Sequence, residues 1–88
     1  YRRLSSFHED FNQLPAEIQH QTKNKFSIFQ ENPRHPSLRV KKMQGYDEIW
    51  EGHITKDYVF TFHYETSEDD ETVVVFRHIG THDIYEKP

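Results

Sequence analysis

The sequence predicts an α+β domain: two N-terminal helices packed on a twisted, mainly antiparallel sheet of three to four strands. Three observations lead there. Apolar residues recur at helical spacing up to about Glu31, Asn32-Pro33 then interrupts the chain, and from Leu38 to Ile79 apolar residues alternate at period two. At 88 residues there is room for one domain, covering 1–88, and for one core. Hydrophobic residues make up only 33% of the chain but aromatics 15%, so seven Phe, five Tyr and one Trp must supply much of the buried area.

Ser6 with Glu9 reads as a capping box opening a short helix that carries Phe7, Phe11 and Leu14. Pro15 suits the first position of a second helix running to about Glu31. Its apolar stripe is Ile18, Thr22, Phe26 and Phe29, the face a helix lays on a flat sheet. Pro36 keeps the following residues extended, and Leu38 and Val40 are expected on one strand face with Arg39 and Lys41 on the other. Gln44-Gly45 turns the chain into a strand over 46–55, with Trp50 and Ile54 on one face and Ile49, Glu51 and His53 on the opposite one. Lys56-Asp57 makes a tight connection to Tyr58, Phe60, Phe62 and Tyr64, which alternate with Val59, Thr61 and His63. The acidic run ETSEDDE forms a hairpin tip before Thr72–Ile79, apolar enough to be central. Gly80 ends that strand, and HDIYEKP reads as a turn or single helical turn. A further strand is possible at Tyr1–Ser5. Helices on one face leave the other free to carry a site.

Formal net charge is −4, but it is segregated. Residues 65–71 hold five carboxylates and no cation, whereas 34–42 (RHPSLRVKK) hold four cations and no acid. There is no Cys, hence no disulfide and no thiolate metal site, which fits a reducing compartment. No apolar run approaches the ~20 residues of a membrane span, and the first residues lack a signal peptide's apolar stretch. A cytoplasmic protein with no membrane contact is the expectation. Gly45, Gly52 and Gly80 are the only glycines, so no Gly-rich phosphate loop exists.

Seven His invite a metal reading, but no HExxH pattern accompanies them, and His53 with His63 on neighbouring strands is thin support. General acid–base chemistry fits better. His53, Asp57, His82 and Tyr85 are the candidates: His titrates near neutrality, and a carboxylate four residues beyond His53 could orient it. Surface hydrogen bonding or a packing role remains open for each His taken singly. Arg34, Arg39, Lys41 and Lys42 would suit phosphates, with Arg39 and Lys41 ~7 Å apart on one strand face, or would protect a solvated edge strand.

The stretches NPRHPSLRVKK, IWEGHITKDYVFTF and VVVFRHIGTHDIY, in this order and spacing, resemble the RelE/ParE superfamily of bacterial toxins from type II toxin–antitoxin systems. The resemblance runs along nearly the whole chain and is greatest to its His-rich, YafQ-like branch. It implies two helices on a sheet whose concave face carries the site. It also implies a metal-independent, ribosome-dependent mRNA endoribonuclease that inhibits translation. No cofactor is implied; the partners would be a cognate antitoxin and mRNA in the ribosomal A site. In that branch's pattern His53 and Asp57 match its strand-and-turn His and Asp, and His82 matches the His of the terminal Gly-Thr-His. Tyr58 stands at an aromatic neighbour's place, Tyr85 falls near the C-terminal aromatic, and Glu51 and Arg77 match by strand face. Arg34, Arg39, Lys41, Lys42 and Arg77 would then contact RNA phosphates. Two departures mark the chain: Val59 stands where many members carry an Arg, and the net charge is acidic where ribosome-acting members are strongly basic. They leave a second reading, a non-catalytic module of the same fold, as an inactive toxin or a gyrase-type inhibitor.

Overall fold

The computed structural model describes residues 1–88. The chain forms β1 (Arg2–Arg3), α1 (Ser5–Asn12), α2 (Ala16–Glu31), a 3-10 turn (Pro36–Leu38), β2 (Lys41–Lys42), β3 (Trp50–His53), β4 (Val59–Thr66), β5 (Thr72–Gly80) and a C-terminal 3-10 helix (His82–Glu86). The strands make one five-stranded sheet in the order β1-β5-β4-β3-β2. All pairings are antiparallel except β1 with β5, which run parallel through Arg2 against Val75 and Arg3 against Phe76. Three to four strands were expected, so the sheet is larger and mixed. The possible strand at Tyr1–Ser5 is present as β1, only two residues long, and its parallel partner lies more than seventy residues along the chain.

Both helices cover one face. Phe7 from α1 and Phe26 and Phe29 from α2 meet Phe60 and Phe62 of β4 and Phe76 of β5, all nearly or fully buried. Phe26 stacks on Phe76 with centroids 4.4 Å apart, and Phe29 sets its edge against Phe62 at 5.3 Å. Offset and edge-to-face pairs are the favoured geometries between aromatic quadrupoles. Thr22 completes the stripe of α2, its hydroxyl donating to the Ile18 carbonyl at 2.7 Å.

Gly52 makes this packing possible. It pairs with Phe60 in the β3–β4 ladder, and a Cβ there would fall inside the space of the Phe60 ring.

Local chemistry departs from the sequence reading in four places. Ser6 does not cap α1: Leu4 is the N-cap, and the Ser6 hydroxyl donates to the Arg77 carbonyl at 2.7 Å, tying α1 to β5. Pro15 is the N-cap of α2, one position before its first turn. Residues 36–40 are not a strand, because Pro36 opens a 3-10 turn capped by His35 Nδ1, which accepts from the Ser37 amide at 3.2 Å. Arg39 then turns left-handed at φ 48°, so it and Lys41 do not share a strand face as expected. Finally, β3 starts only at Trp50, since Gly45 (φ 86°) and Glu48 (φ 65°) bend the chain before it.

In β5, both Arg77 and His78 lie opposite Thr61, a bulge between the Phe62–Phe76 and Thr61–His78 pairs. The extra residue twists the strand locally and re-aims side chains. His78 Nδ1 consequently lies 2.9 Å from Asp10 Oδ2 on α1, and the same oxygen accepts from the Ile79 amide.

Candidate active site

Strand alternation sends Trp50 and Gly52 toward the helices and Glu51 and His53 to the opposite, uncovered face. The C-terminal 3-10 helix folds over that face. Residues three apart eclipse one another in a 3-10 helix, so His82 and Tyr85 project together, with ring centroids 5.4 Å apart.

Glu51 is the hub. Although it is a carboxylate, it is only 7% exposed. The Tyr85 hydroxyl donates to Glu51 Oε1 at 3.3 Å, Lys41 Nζ lies 3.7 Å from the same oxygen, and His53 Nε2 lies 3.9 Å away. The His53 and His82 rings are 6.2 Å apart between centroids, at a steep mutual angle of 67°. His82 itself is exposed, and its Nε2 is 3.2 Å from the Lys56 carbonyl. A carbonyl only accepts, so Nε2 carries a proton in this contact.

The surroundings separate these groups electrostatically. Burial lowers the pKa of His53 below its usual 6.5; Glu51 opposes the shift, while His82, Arg39 and Lys41 reinforce it. His53 is therefore a neutral imidazole at neutral pH. Burial raises the Tyr85 phenol above its usual range, and the Glu51 charge and hydrogen bond push it further in that direction. Tyr85 thus stays protonated and acts as a donor to Glu51.

Asp57 does not take the place expected for it. It is exposed in the β3–β4 turn and makes no hydrogen bond or ion pair with His53. Thr55 Oγ1 organises that turn by accepting from the amides of Asp57 and Tyr58, both at 3.2 Å. The carboxylate beside His53 is Glu51, two residues earlier on the same strand face. Period two was the signal for it, since residues i and i+2 of a strand always share a face.

The cations divide into groups. Beside His53, at the end of β3, lies an open cleft of about 420 Å³ that Lys25, Ser37, Arg39, Thr55 and Lys56 help to line, with no carboxylate. Neither Lys25, on a helix beside Lys23, nor Lys56, in a turn, belongs to a basic run of the sequence. Arg34 and Lys42 lie elsewhere, beside Trp50 and Tyr64. Arg77 is engaged internally: Nη1 donates to His63 Nδ1 at 2.8 Å and Nε to the Pro88 carbonyl at 3.2 Å. His63 must then donate from Nε2 to Glu65 Oε2, 2.7 Å away. No group of three or more His, Asp or Glu side chains converges to hold a metal ion.

No protein-family model and no curated relative matches the chain by sequence. Solved structures do match, over nearly the full length. A chain of the RelB–RelE antitoxin–toxin complex of Methanococcus jannaschii superposes with a TM-score of 0.72 at 20% identity, covering 100% of each chain. The fold is that of the RelE/ParE toxins. A YoeB/ParE toxin from Agrobacterium tumefaciens has a TM-score of 0.71 at 13% identity, over 91% of this chain and 94% of its own. YafQ from E. coli reaches 0.70 at 14% identity, over 96% and 93%. This RelE-like fold places the His53–Glu51–His82–Tyr85 cluster on the sheet face that the helices leave uncovered. No helix is long and apolar enough to cross a membrane.

Proposed function

We propose that the chain is the toxin of a type II toxin–antitoxin system and a metal-independent endoribonuclease that cuts mRNA, in the ribosomal A site, to inhibit translation in the cytoplasm. The observation that carries this reading is the pair of imidazoles 6.2 Å apart on the uncovered face, one of them held neutral, with Arg39 and Lys41 beside it. The rings are too close to sandwich a phosphate, so both would address one that sits against the solvent-facing edge they share.

Neutral His53 accepts the proton of a ribose 2′-hydroxyl. The 2′-oxygen attacks the adjacent phosphorus as the bond to the 5′-oxygen breaks, and protonated His82 delivers a proton to that leaving oxygen. The products are a 2′,3′-cyclic phosphate and a 5′-hydroxyl. Arg39, Lys41 and the Lys25–Lys56 cleft offset the charge that develops on the phosphate. Glu51, held by Tyr85, keeps His53 from becoming too weak a base. Arg34 and Lys42 would contact more distant phosphates, Arg77 would do so only on leaving His63 and the Pro88 carbonyl, and Asp57 would act only once the β3–β4 turn meets RNA. The cognate antitoxin is proposed as partner because RelE of M. jannaschii was solved with RelB.

Induced expression in a bacterium, followed by growth and transcript mapping, tests the proposal. His53→Ala and His82→Ala should each slow cleavage by roughly 10²–10⁴-fold, the usual contribution of one acid or base. Cleavage should survive a chelator. Undiminished toxicity in the double variant would remove both residues from the chemistry.

A second reading, a non-catalytic module of the same fold, is favoured by the placement of Glu51. A carboxylate beside the imidazoles repels phosphate, and the net charge of −4 acts in the same direction. Absence of arrest and cleavage in the antitoxin-free host would select it.

A further inference from the structure

The cations that sequence singled out for RNA do not all gather at His53. Arg34 and Arg39 line a second open cleft, of about 650 Å³, together with His35 and the rings of Trp50 and Tyr64. No carboxylate lines it, and its size lies within the range of small-ligand sites. Lys42 reaches the same two rings from an adjoining recess, where Glu48 is the one acid.

Trp50 and Tyr64 stand on the helix-side face of the sheet but beyond the Phe cluster. Trp50 stacks at 20° on Phe62 with centroids 6.4 Å apart, and Tyr64 meets Trp50 edge-on at 5.9 Å. Phe62 is fully buried, so the pair rests on a rigid base. Tyr64 nevertheless remains 42% exposed, one of only three large apolar side chains so exposed. Rings anchored below and open above, rimmed by guanidinium groups, are what binds single-stranded nucleic acid: the π-face stacks a base while the cations meet its phosphates.

Arg39 connects the two regions. It lines both this cleft and the one beside His53, and it does so from a left-handed conformation at φ 48°. Such a conformation is disfavoured for a residue with a Cβ and persists only where surrounding structure imposes it. Here the 3-10 turn before it and β2 after it do so.

We propose that Trp50 and Tyr64 form a stacking subsite for one nucleobase of a single-stranded RNA, with Arg34 and Arg39 on its phosphates. To reach this subsite on the other face, the RNA strand proposed to cross His53 and His82 would pass around the β2 edge of the sheet, by Arg39, and the subsite rests on that reading for its substrate class. A nucleotide fits better than an acidic peptide because charge alone would account for the arginines but not for two rings presented beside them.

Trp50 is the only tryptophan, so its fluorescence reports on the subsite directly. Titration with a short 2′-O-methyl oligoribonucleotide, which has no 2′-hydroxyl to react, should quench Trp50. Tyr64→Leu should weaken that binding about tenfold, as expected for loss of one base–aromatic stack, whereas Tyr64→Phe should restore it. An oligomer of the same length with one abasic position should bind the wild type more weakly. Equal affinity for a fully abasic oligomer, or an unchanged affinity in Tyr64→Leu, would overturn the stacking subsite. Quenching by oligoglutamate but not by the oligoribonucleotide would overturn it in favour of a peptide site. Quenching by RNA in a protein that cleaves nothing would leave the subsite standing and remove the nuclease reading. Cleavage by the wild type with an unchanged KM in Tyr64→Leu would do the reverse.

Discussion

The two faces of the sheet solve opposite problems with the same strands. On the helix side, Phe60, Phe62 and Phe76 are sealed against Phe7, Phe26 and Phe29, and stability comes from aromatic area removed from water. On the other side, the neighbouring residues Glu51 and His53 sit under a five-residue 3-10 helix that leaves His82 exposed and holds Tyr85 by a long hydrogen bond. The centre of one face is packed with apolar rings; the other carries the titratable groups, although Val59, Thr61 and Val75 on it are fully buried. Functional sites spend stability on such arrangements, and the Phe cluster is what allows a chain this small to do so.

The largest effect is expected on the packed face. Phe76 is 1% exposed and its ring meets those of Phe7, Phe26, Phe29, Phe60 and Phe62. Phe76→Ala should cost about 3–5 kcal/mol, much of the stability of a domain with a total of roughly 5–15 kcal/mol. Urea denaturation checks it. In the same assay His82→Ala should shift stability by less than about 1 kcal/mol, since exposed side chains seldom do more. Equal destabilisation by the two substitutions would erase the distinction between the faces.

Gly52 is where the faces meet, between Glu51 and His53 in sequence and directly over the Phe60 ring. Gly52→Ala forces that ring to move, an overpacking cost of about 1–3 kcal/mol. Because the displaced strand also carries Glu51 and His53, the proposed nuclease activity should fall in the folded protein too. Thermal melting with activity measured well below the transition separates the two losses. Full activity in a destabilised variant would mean that the faces are mechanically independent.

The packed face was the more legible in the sequence. The stripe Ile18, Thr22, Phe26 and Phe29 and the alternation of Phe60 with Phe62 state which residues meet, because helix and strand periods are fixed by backbone geometry. The parallel strand β1 and the 3-10 turn at Pro36–Leu38 were less legible: two-residue strands carry no period, and proline followed by a left-handed Arg39 breaks one. For the site, alternation placed Glu51 and His53 together, and the terminal Gly-Thr-His pattern pointed to His82. The carboxylate beside His53 is Glu51 and not Asp57, which is near in sequence but left exposed by the turn built on Thr55 Oγ1. Sequence proximity across a turn is a weaker guide to contact than a shared strand face. The division of the cations between the His53 cleft and the Trp50–Tyr64 cleft depends on the path of one loop, which no local pattern encodes.

The smallest expected effect tests how the uncovered face is tuned. Glu51 raises the His53 pKa against burial and the positive charges of His82, Arg39 and Lys41, so Glu51→Gln should lower it further. The substitution keeps an acceptor for the Tyr85 hydroxyl and removes only the charge. If His53 is the base, the acidic limb of the pH–rate profile should move to lower pH, and the plateau rate should fall slightly because a weaker base is a poorer proton acceptor. Stability supplies an independent check. The folded pKa of His53 lies below 6.5, so between those two values the unfolded chain takes up a proton that the native state refuses, and stability falls as pH drops through this window. Removing the Glu51 charge widens the window at its acidic end, so the variant should lose more stability than the wild type on acidification from neutral pH. Denaturation curves at neutral pH and below the usual imidazole range measure the difference. A profile moved to higher pH would show that Glu51 does not set the basicity of His53, and that the protons of this face are governed by the cations around it alone.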